Sequence, residues 1–249
     1  GYVVPQWITD FKAKGNSSFY KSEEGKRKFY SIAKGEYEVI PGTEAFIVLD
    51  NFKSAEPVYK NKEATLHDIG DGVLCLEFHS KMNAIGSGTL SAINKSIEIA
   101  ENEGWKGLVI GNDAPNFSAG ANLAMMLMLA IEQEFDELNM VISYFQKTVM
   151  RLRYSSVPVV IAPHGLTLGG GCEMTLHSDA AVASAETYIG LVEAGVGLIP
   201  GGGGTKEFVV RTSDSFYAGD PQLPTLIERF QTIATAKVAT SGHEAFEIG

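Results

Sequence analysis

Apolar and polar positions along the 249-residue chain change rhythm near residue 60. Ahead of that point, "VVPQWITDFKAKG" sets Trp7, Ile8 and Phe11 on one side of a short amphipathic helix that Gly15 stops. The charged, glycine-punctuated "SEEGKRKFYSIAKGEYEVIPG" follows, and "NFKSAEPVYKNKEAT", polar and broken by Pro57, reads as a linker. Beyond it, short apolar runs alternate with longer periodic ones. "GVLCLEF" (72–78), "GLVIG" (107–111), "VVIA" (159–162) and "AAVAS" (180–184) have strand character. "LSAINKSIEIAEN" (90–102) repeats apolar residues at 90, 93, 97 and 100 and stops at Gly104, as a helix does. A long helical region runs from Leu123 to Arg153 and ends ahead of Val157-Pro158, because the residue before a proline resists the helical conformation. The chain turns helical again after the glycines at 201–204, and "LPTLIERFQTIATAKVAT" predicts one further helix. This alternation predicts an α/β domain over 61–249, preceded by a small N-terminal appendage and linker over 1–60.

The net charge of -10 narrows the partners. The one basic cluster, "KSEEGKRKF", is interrupted by acids and reads as a solvated face, so no nucleic-acid footprint is expected. "LAMMLMLAI" (123–131) is the most apolar run and is about half the length of a bilayer span, so no membrane partner is expected either. Two cysteines, Cys75 and Cys172, make no disulfide framework, and no signal peptide opens the chain; a reducing cytoplasm is the expected location. The first residue is Gly rather than Met, as processing or excision from a longer protein would leave it.

Several motifs fail. No G-x-G-x-x-G dinucleotide fingerprint occurs, and "GGGGTKE" has Thr and Lys in the wrong order for a Walker loop. "NFSAG" (116–120) is a near miss to a nucleophile elbow, with Asn116 where the first glycine belongs, and keeps a serine hydrolase as a minor alternative. The five histidines show no metal-ligand spacing, and His164 and His177 read as satisfied core or loop histidines. What remains is a pair of loops, "NFSAGANLAMM" and "HGLTLGGGCEM", each ending a strand and opening a helix. Small residues let a ligand approach the backbone there, and two free N–H groups converging from two such loops would hold one negatively charged oxygen. Glu173 and Glu193 stand twenty residues apart, each among glycine or alanine, and apolar Val192 and Ala194 flank Glu193. A single glutamate in a first helical turn is accounted for by the helix dipole; two of them beside two small-residue loops point to acid–base chemistry.

These residues resemble the crotonase (enoyl-CoA hydratase/isomerase) superfamily. The resemblance runs from about Thr65 to Gly249 and is carried by "KMNAI" (81–85), "FSAGAN" (117–122), "VPVVIAPHGLTLGGGCEMTLHSDAAVAS" (157–184) and "YIGLVEAGVGLIPGGGGT" (188–205), in family order and spacing. It implies a ββα spiral core. It implies that two backbone N–H groups, of Ala119 and Gly170, hold the thioester oxygen, and that Lys81, Met82 and Ala84 with Ala119, Gly120, Ala121 and Asn122 cradle coenzyme A. Glu173 then handles the water that attacks C3, and Glu193 supplies the proton to C2. Coenzyme A arrives on the substrate, so no separate cofactor and no metal are expected. Retaining both glutamates favours hydration of trans-2-enoyl-CoA in β-oxidation over isomerisation, since isomerases of this fold generally keep only the carboxylate matching Glu193.

Departures are visible as well. Asn122 stands where many members have Asp, and "GGGGT" replaces "GAGGT". Members usually run on for several tens of residues past "EAFEIG", forming helices that close the acyl pocket and build a trimer. The fold is therefore expected to be truncated at its C-terminal end, which leaves an inactive acyl-CoA-binding fragment as an alternative. The first sixty residues resemble the end of the dehydrogenase portion of bacterial 3-hydroxyacyl-CoA dehydrogenase/enoyl-CoA hydratase fusion proteins. The chain itself is not expected to bind NAD, and the dehydrogenase portion of a parent protein is an expected partner.

Overall fold

A computed structural model describes residues 3–43, 46–53 and 55–249. Ser54, in the predicted linker, lies outside the described residues. The chain divides into two compact units, Gly1–Pro57 and Val58–Gly249.

The first unit holds the predicted helix, α1 (Gln6–Ala13). It also holds three strands that the charge pattern conceals: β1 (Tyr20–Glu23), β2 (Lys26–Ser31) and β3 (Glu36–Val39), an antiparallel meander in that order. Glu24 (φ 53°) and Gly25 (φ 70°) turn β1 into β2 in the left-handed conformation that a two-residue hairpin requires. Only the ends of the strands are apolar. Phe11 of α1 is buried and packs on Phe19, Tyr30 and Tyr37, an aromatic cluster large enough to order a short sheet.

The second unit is a spiral. Its large sheet contains β4 (Tyr59–Lys60), β5 (Ala64–Asp68), β6 (Val73–Phe78), β7 (Gly107–Ile110), β8 (Val159–Ile161) and β10 (Ala180–Ala181), in the order β10-β8-β7-β6-β5-β4. From β6 onward the pairing is parallel; β4, β5 and β6 pair antiparallel. The predicted linker thus already contains β4 and the first residues of β5. A small parallel sheet pairs β9 (Gly165–Leu168) with β11 (Thr187–Gly190) and is extended by single bridges, Ser118 to Thr167 and Ala121 to Ile85. After each visit to the large sheet the chain crosses to the small one and then enters a helix. The helices reached this way are α2 (Ser87–Asn102), then α3 (Leu123–Ile131) with α4 (Phe135–Arg153), then α5 (Gly170–Leu176), then α6 (Gly204–Asp214). Two more, α7 (Gln222–Ala234) and α8 (Gly242–Ile248), follow.

Apolar residues in register make the core. Leu66, Leu76, Ile110 and Ile161 form one row across β5, β6, β7 and β8, and all four are fully buried. Leu90, Ile93 and Ile97 of α2 and Phe145, Val149 and Leu152 of α4 close over the sheet. Each such side chain contributes about 2 kcal/mol. The long helix predicted over 123–153 is interrupted at Gln133, whose φ of 60° no helix accommodates. The helix predicted from Leu223 stops at Ala234, because Ala236 (φ 51°) turns the chain back so that Ala239 can pair with Ile189.

The first turn of α2 is capped from outside its own sequence. Glu63 Oε2 accepts from the Thr89 N–H (2.7 Å) and hydroxyl (3.0 Å), in space left by Gly86 and Gly88. Glu63→Ala is expected to lower the unfolding free energy by about 1–2 kcal/mol in urea denaturation.

Candidate active site

The spiral brings successive strand-to-helix turns of the small sheet side by side. Ile85 N–H donates to the Gly120 carbonyl (2.8 Å), Ser118 N–H to Leu166 (3.0 Å), Leu168 N–H to Ser118 (3.0 Å) and Gly169 N–H to Gly190 (2.9 Å). The turns at 81–85, 118–122, 168–170 and 190–193, separated by long stretches of sequence, are therefore neighbours. Lys81, Met82, Ala84, Ala119, Gly120, Ala121, Asn122, Gly170, Glu173 and Glu193 all lie on these turns or at the head of α5.

Contact between the second and third turns is close. Gly120 (φ 94°) sits so near β9 that a Cβ there would lie 2.8 Å from the Leu168 carbonyl and 3.3 Å from the Gly170 nitrogen. A Cβ on Gly170 would in turn lie 3.4 Å from the Ala121 nitrogen. The N–H groups of Ala121 and Gly170 thus approach one another, and neither has a hydrogen-bond partner among the described residues. Ala119 is different: its N–H donates to the Met82 carbonyl at 3.2 Å. The donor expected from Ala119 is committed to holding the Lys81–Asn83 turn, and the free amide is two residues further on, at Ala121. The correction follows from how the turn docks. Met82 (φ 57°) and Asn83 (φ 49°) both adopt the left-handed conformation, which aims the Met82 carbonyl at Ala119, while the Asn83 side chain donates to the Asn116 carbonyl (3.1 Å). Asn122 caps α3, accepting from Met125 N–H (3.4 Å). Asp would do the same, so this departure leaves the helix start intact.

Ser118 is no nucleophile. It is fully buried, its hydroxyl donates to the Asn83 carbonyl (2.8 Å) and accepts from Gly120 N–H (3.1 Å), and no base among the described residues hydrogen-bonds to it. The serine-hydrolase alternative ends there.

Glu173 lies one turn into α5 and is only 3% exposed. Its Oε1 accepts from the N–H groups of Gly202 (2.8 Å) and Gly204 (2.9 Å), while Oε2 has no protein donor among the described residues. Burial pushes its pKa up to about 7; the amides of 202–204 oppose that rise, and the charge of Glu193 adds to it. Glu193 opens a short 3₁₀ turn, and its Oε1 would lie 3.0 Å from a Cβ on Gly169, so Gly169 (φ 51°) has to be glycine. Burial raises the pKa of Glu193 as well, and its Oε2 is buried with no donor. The two carboxyls therefore differ in kind. One is anchored by amides of a neighbouring turn that favour its anion, and the other has only its own backbone amide to stabilise a charge.

Sequence reasoning missed the amides of Gly202 and Gly204. It also missed Phe145, whose ring fills the gap between the two glycine segments: a Cβ on Gly170 would lie 3.2 Å from its Cζ, and one on Gly202 1.8 Å from its Cε1. The run of glycines at 201–204 was the available signal. Among the described residues no cluster of His, Cys, Asp and Glu could hold a metal, and no helix is long and apolar enough to cross a membrane.

A fold of this kind has known counterparts. The chain matches the Enoyl-CoA hydratase/isomerase family over residues 68–215 and belongs to it. It is 45% identical over 249 residues to a Bacillus subtilis protein named "Probable 3-hydroxyacyl-CoA dehydrogenase", covering 100% of this chain and 31% of that relative. A Rickettsia felis protein, named for a fatty acid oxidation complex trifunctional enzyme, is 36% identical over 163 residues, 66% of this chain and 22% of its own length. The chain thus spans less than a third of these curated relatives. Among solved structures it resembles an enoyl-CoA hydratase from Polaromonas sp. JS666 (TM-score 0.63, 21% identity, 75% of this chain and 68% of that one). It also resembles one from Bacillus anthracis (TM-score 0.61, 23% identity, 76% and 68%). These likenesses establish the crotonase-type α/β spiral.

Burial of Glu173 is expected to make stability depend on pH. Its pKa in the folded protein, about 7, lies above the ordinary 4.5, so its contribution is fully present below pH 4.5 and is lost as pH rises through 7. The unfolding free energy of Glu173→Gln, minus that of the parent, is expected to grow by about 3 kcal/mol between pH 4.5 and 8. Denaturant titrations of both proteins across that range check this; a constant difference would mean Glu173 titrates normally.

Proposed function

We propose that this chain carries the site for adding water to trans-2-enoyl-CoA, giving 3-hydroxyacyl-CoA. The observation that carries the reading is the unlike pair of carboxyls, Glu173 with two amide donors on one oxygen and Glu193 with none on its buried Oε2. In this reading the thioester oxygen sits between the N–H groups of Ala121 and Gly170, and the segments 81–84 and 119–122 take the coenzyme A arm. Glu173 Oε2 orients a water and accepts its proton as the oxygen attacks C3. The C2–C3 π electrons move toward C2 and the thioester oxygen, whose negative charge the two amides stabilise; each such donor is typically worth about 3–4 kcal/mol. Glu193 gives its proton to C2 and the carbonyl re-forms, so that one water has been added and no cofactor consumed. Solvent then resets both carboxyls.

Names among the relatives support a setting in fatty-acid β-oxidation, with a 3-hydroxyacyl-CoA dehydrogenase portion elsewhere in a longer protein. A second reading, enoyl-CoA isomerase, draws on the family description, which covers both activities. It would use Glu193 alone to move a proton between carbons.

The test is loss of the conjugated thioester's ultraviolet absorbance on adding crotonyl-CoA or a longer 2-enoyl-CoA. Turnover is expected to rise with pH through about 7, since the anion of Glu173 is required. Glu173→Gln should lower kcat by about 10²-fold or more, and Gly170→Pro, which removes the first amide of α5 while crowding Phe145 and Ala121, by at least a similar factor. Undiminished turnover in Glu173→Gln would refute hydration by this route; retained 3-enoyl-CoA isomerisation alone would favour the second reading.

A further inference from the structure

Directly behind Glu173 lies a buried charged cluster that the reaction just described does not use. His177, at the C-terminal cap of α5, and Glu207, in the first turn of α6, are both fully buried. The His177 Nδ1 is 2.6 Å from the carbonyl oxygen of Glu173. A carbonyl can only accept, so Nδ1 carries the proton. The other ring nitrogen, Nε2, is 2.9 Å from Lys206 Nζ, and an ammonium can only donate, so Nε2 is the acceptor. Glu207 Oε1 lies 3.4 Å from Nε2 as well, but the nearer Lys206 ammonium takes the acceptor site, so the contacts favour one neutral tautomer, Nδ1–H. Burial, with Lys206 and Arg153 nearby, holds the imidazole pKa below its usual value.

Lys206 also donates to Glu207 Oε1, Arg153 of α4 binds Glu207 Oε2 at 2.8 Å, and Arg211 of α6 approaches the same oxygen at 3.7 Å while donating to the Leu176 carbonyl of α5 at 2.7 Å. Burial opposes ionisation of Glu207, but these cations outweigh it and its pKa stays low. The carboxylate is a fixed post to which α4, α5 and α6 are tied.

The ring has a second contact. Gly203 (φ 111°) lies over it, so that a Cβ there would be 2.9 Å from His177 Cε1 and 3.0 Å from Nε2. Gly203 is flanked by the two residues whose amides hold Glu173 Oε1. One imidazole therefore touches the glutamate's own backbone on one side and the turn that grips its carboxylate on the other.

We propose that His177 is a positioning residue for Glu173, fixed by the Lys206–Glu207–Arg153 cluster, and that it keeps the Gly202 and Gly204 amides aimed at the carboxylate. The proposal rests on the reading of Glu173 as the group that handles water. Its test therefore reads the ionisation of Glu173 itself, so that a chain without hydratase turnover can still uphold or overturn it.

The charged groups facing Glu173 are Glu193, from the next turn of the spiral, and, through His177, Lys206, Glu207 and Arg153. ¹³C NMR titration of the glutamate carboxyls in the 249-residue chain, with Glu173→Gln for assignment, gives the midpoint of Glu173. In His177→Leu the turn loses its support and the amides their aim, and the midpoint should move upward by about one pH unit or more. In His177→Gln, whose longer amide reaches the Gly203 turn and can accept from Lys206 as Nε2 does, the midpoint should return toward that of the parent. A merely structural role would lower stability and leave the midpoint in place. A folded His177→Leu protein titrating as the parent does would overturn the proposal. Should the leucine variant not fold, ¹⁵N NMR of the unsubstituted chain decides: His177 is expected protonated at Nδ1 and bare at Nε2 from pH 6 to 8, and an Nε2–H tautomer or an imidazolium at pH 7 would refute it.

Discussion

A carboxylate withdrawn from water must find hydrogen-bond donors or give up its charge. Glu173 meets this constraint with backbone amides, and much of the second unit is arranged around that choice. Amides of a turn can reach a buried oxygen only where no side chain intervenes. At Gly202 a single added carbon would meet both the Phe145 ring and, at 2.4 Å, Glu173 Oε2. The glycines at 201–204 are costly in chain entropy, and that cost is tied to holding one charged oxygen in place. Gln146 of α4, donating to the Gly201 carbonyl at 2.7 Å, fastens the same turn from the side of the core helix.

The spiral supplies the other half of the site. Because each winding adds one strand or bridge to the small sheet before entering a helix, the Ala121 amide, just ahead of α3, and the first amide of α5 come to rest beside each other although they lie almost fifty residues apart. The path of the backbone creates this proximity, and side chains contribute chiefly by being small. Gly120 and Gly170 are compact enough for two backbones to touch, and the Ala119 amide is spent on securing the adjoining turn. The neighbouring amides of Ala121 and Gly170 are then a product of the backbone path itself.

Most of the large sheet and its helices were legible in the sequence, because apolar runs such as 107–111 and 159–162 are buried on one face and partly buried on the other and carry an unmixed signal. Strands β9 and β11 were not, since each is only four residues long (GLTL and TYIG), too short and glycine-broken for a clear pattern, and their pairing is fixed by the spiral. The meander of the first unit was hidden for a different reason: lysines and glutamates cover its exposed faces, and its order comes from a few aromatic residues distant in sequence. In the site, Glu173, Glu193 and Gly170 stood out by residue type. Which alanine presents its amide depends on the docking of the Met82–Asn83 turn, a tertiary contact that no local pattern reports. His177 looked like a core histidine and is one; its importance lies in which two segments it touches.

Helix α3 carries a consequence of another kind. Nine residues, "LAMMLMLAI", form it, and none is buried; Leu127, Met128 and Ile131 are 61%, 59% and 70% exposed. Such a face resembles the interior of a protein, and an exposed apolar surface favours association wherever charge does not intervene. That charge is a net -10 near neutrality, and it vanishes near the isoelectric point of about 5.0. The colloidal behaviour of the chain is thus set by its carboxylates: mild acid removes the repulsion between molecules while the apolar helix face remains.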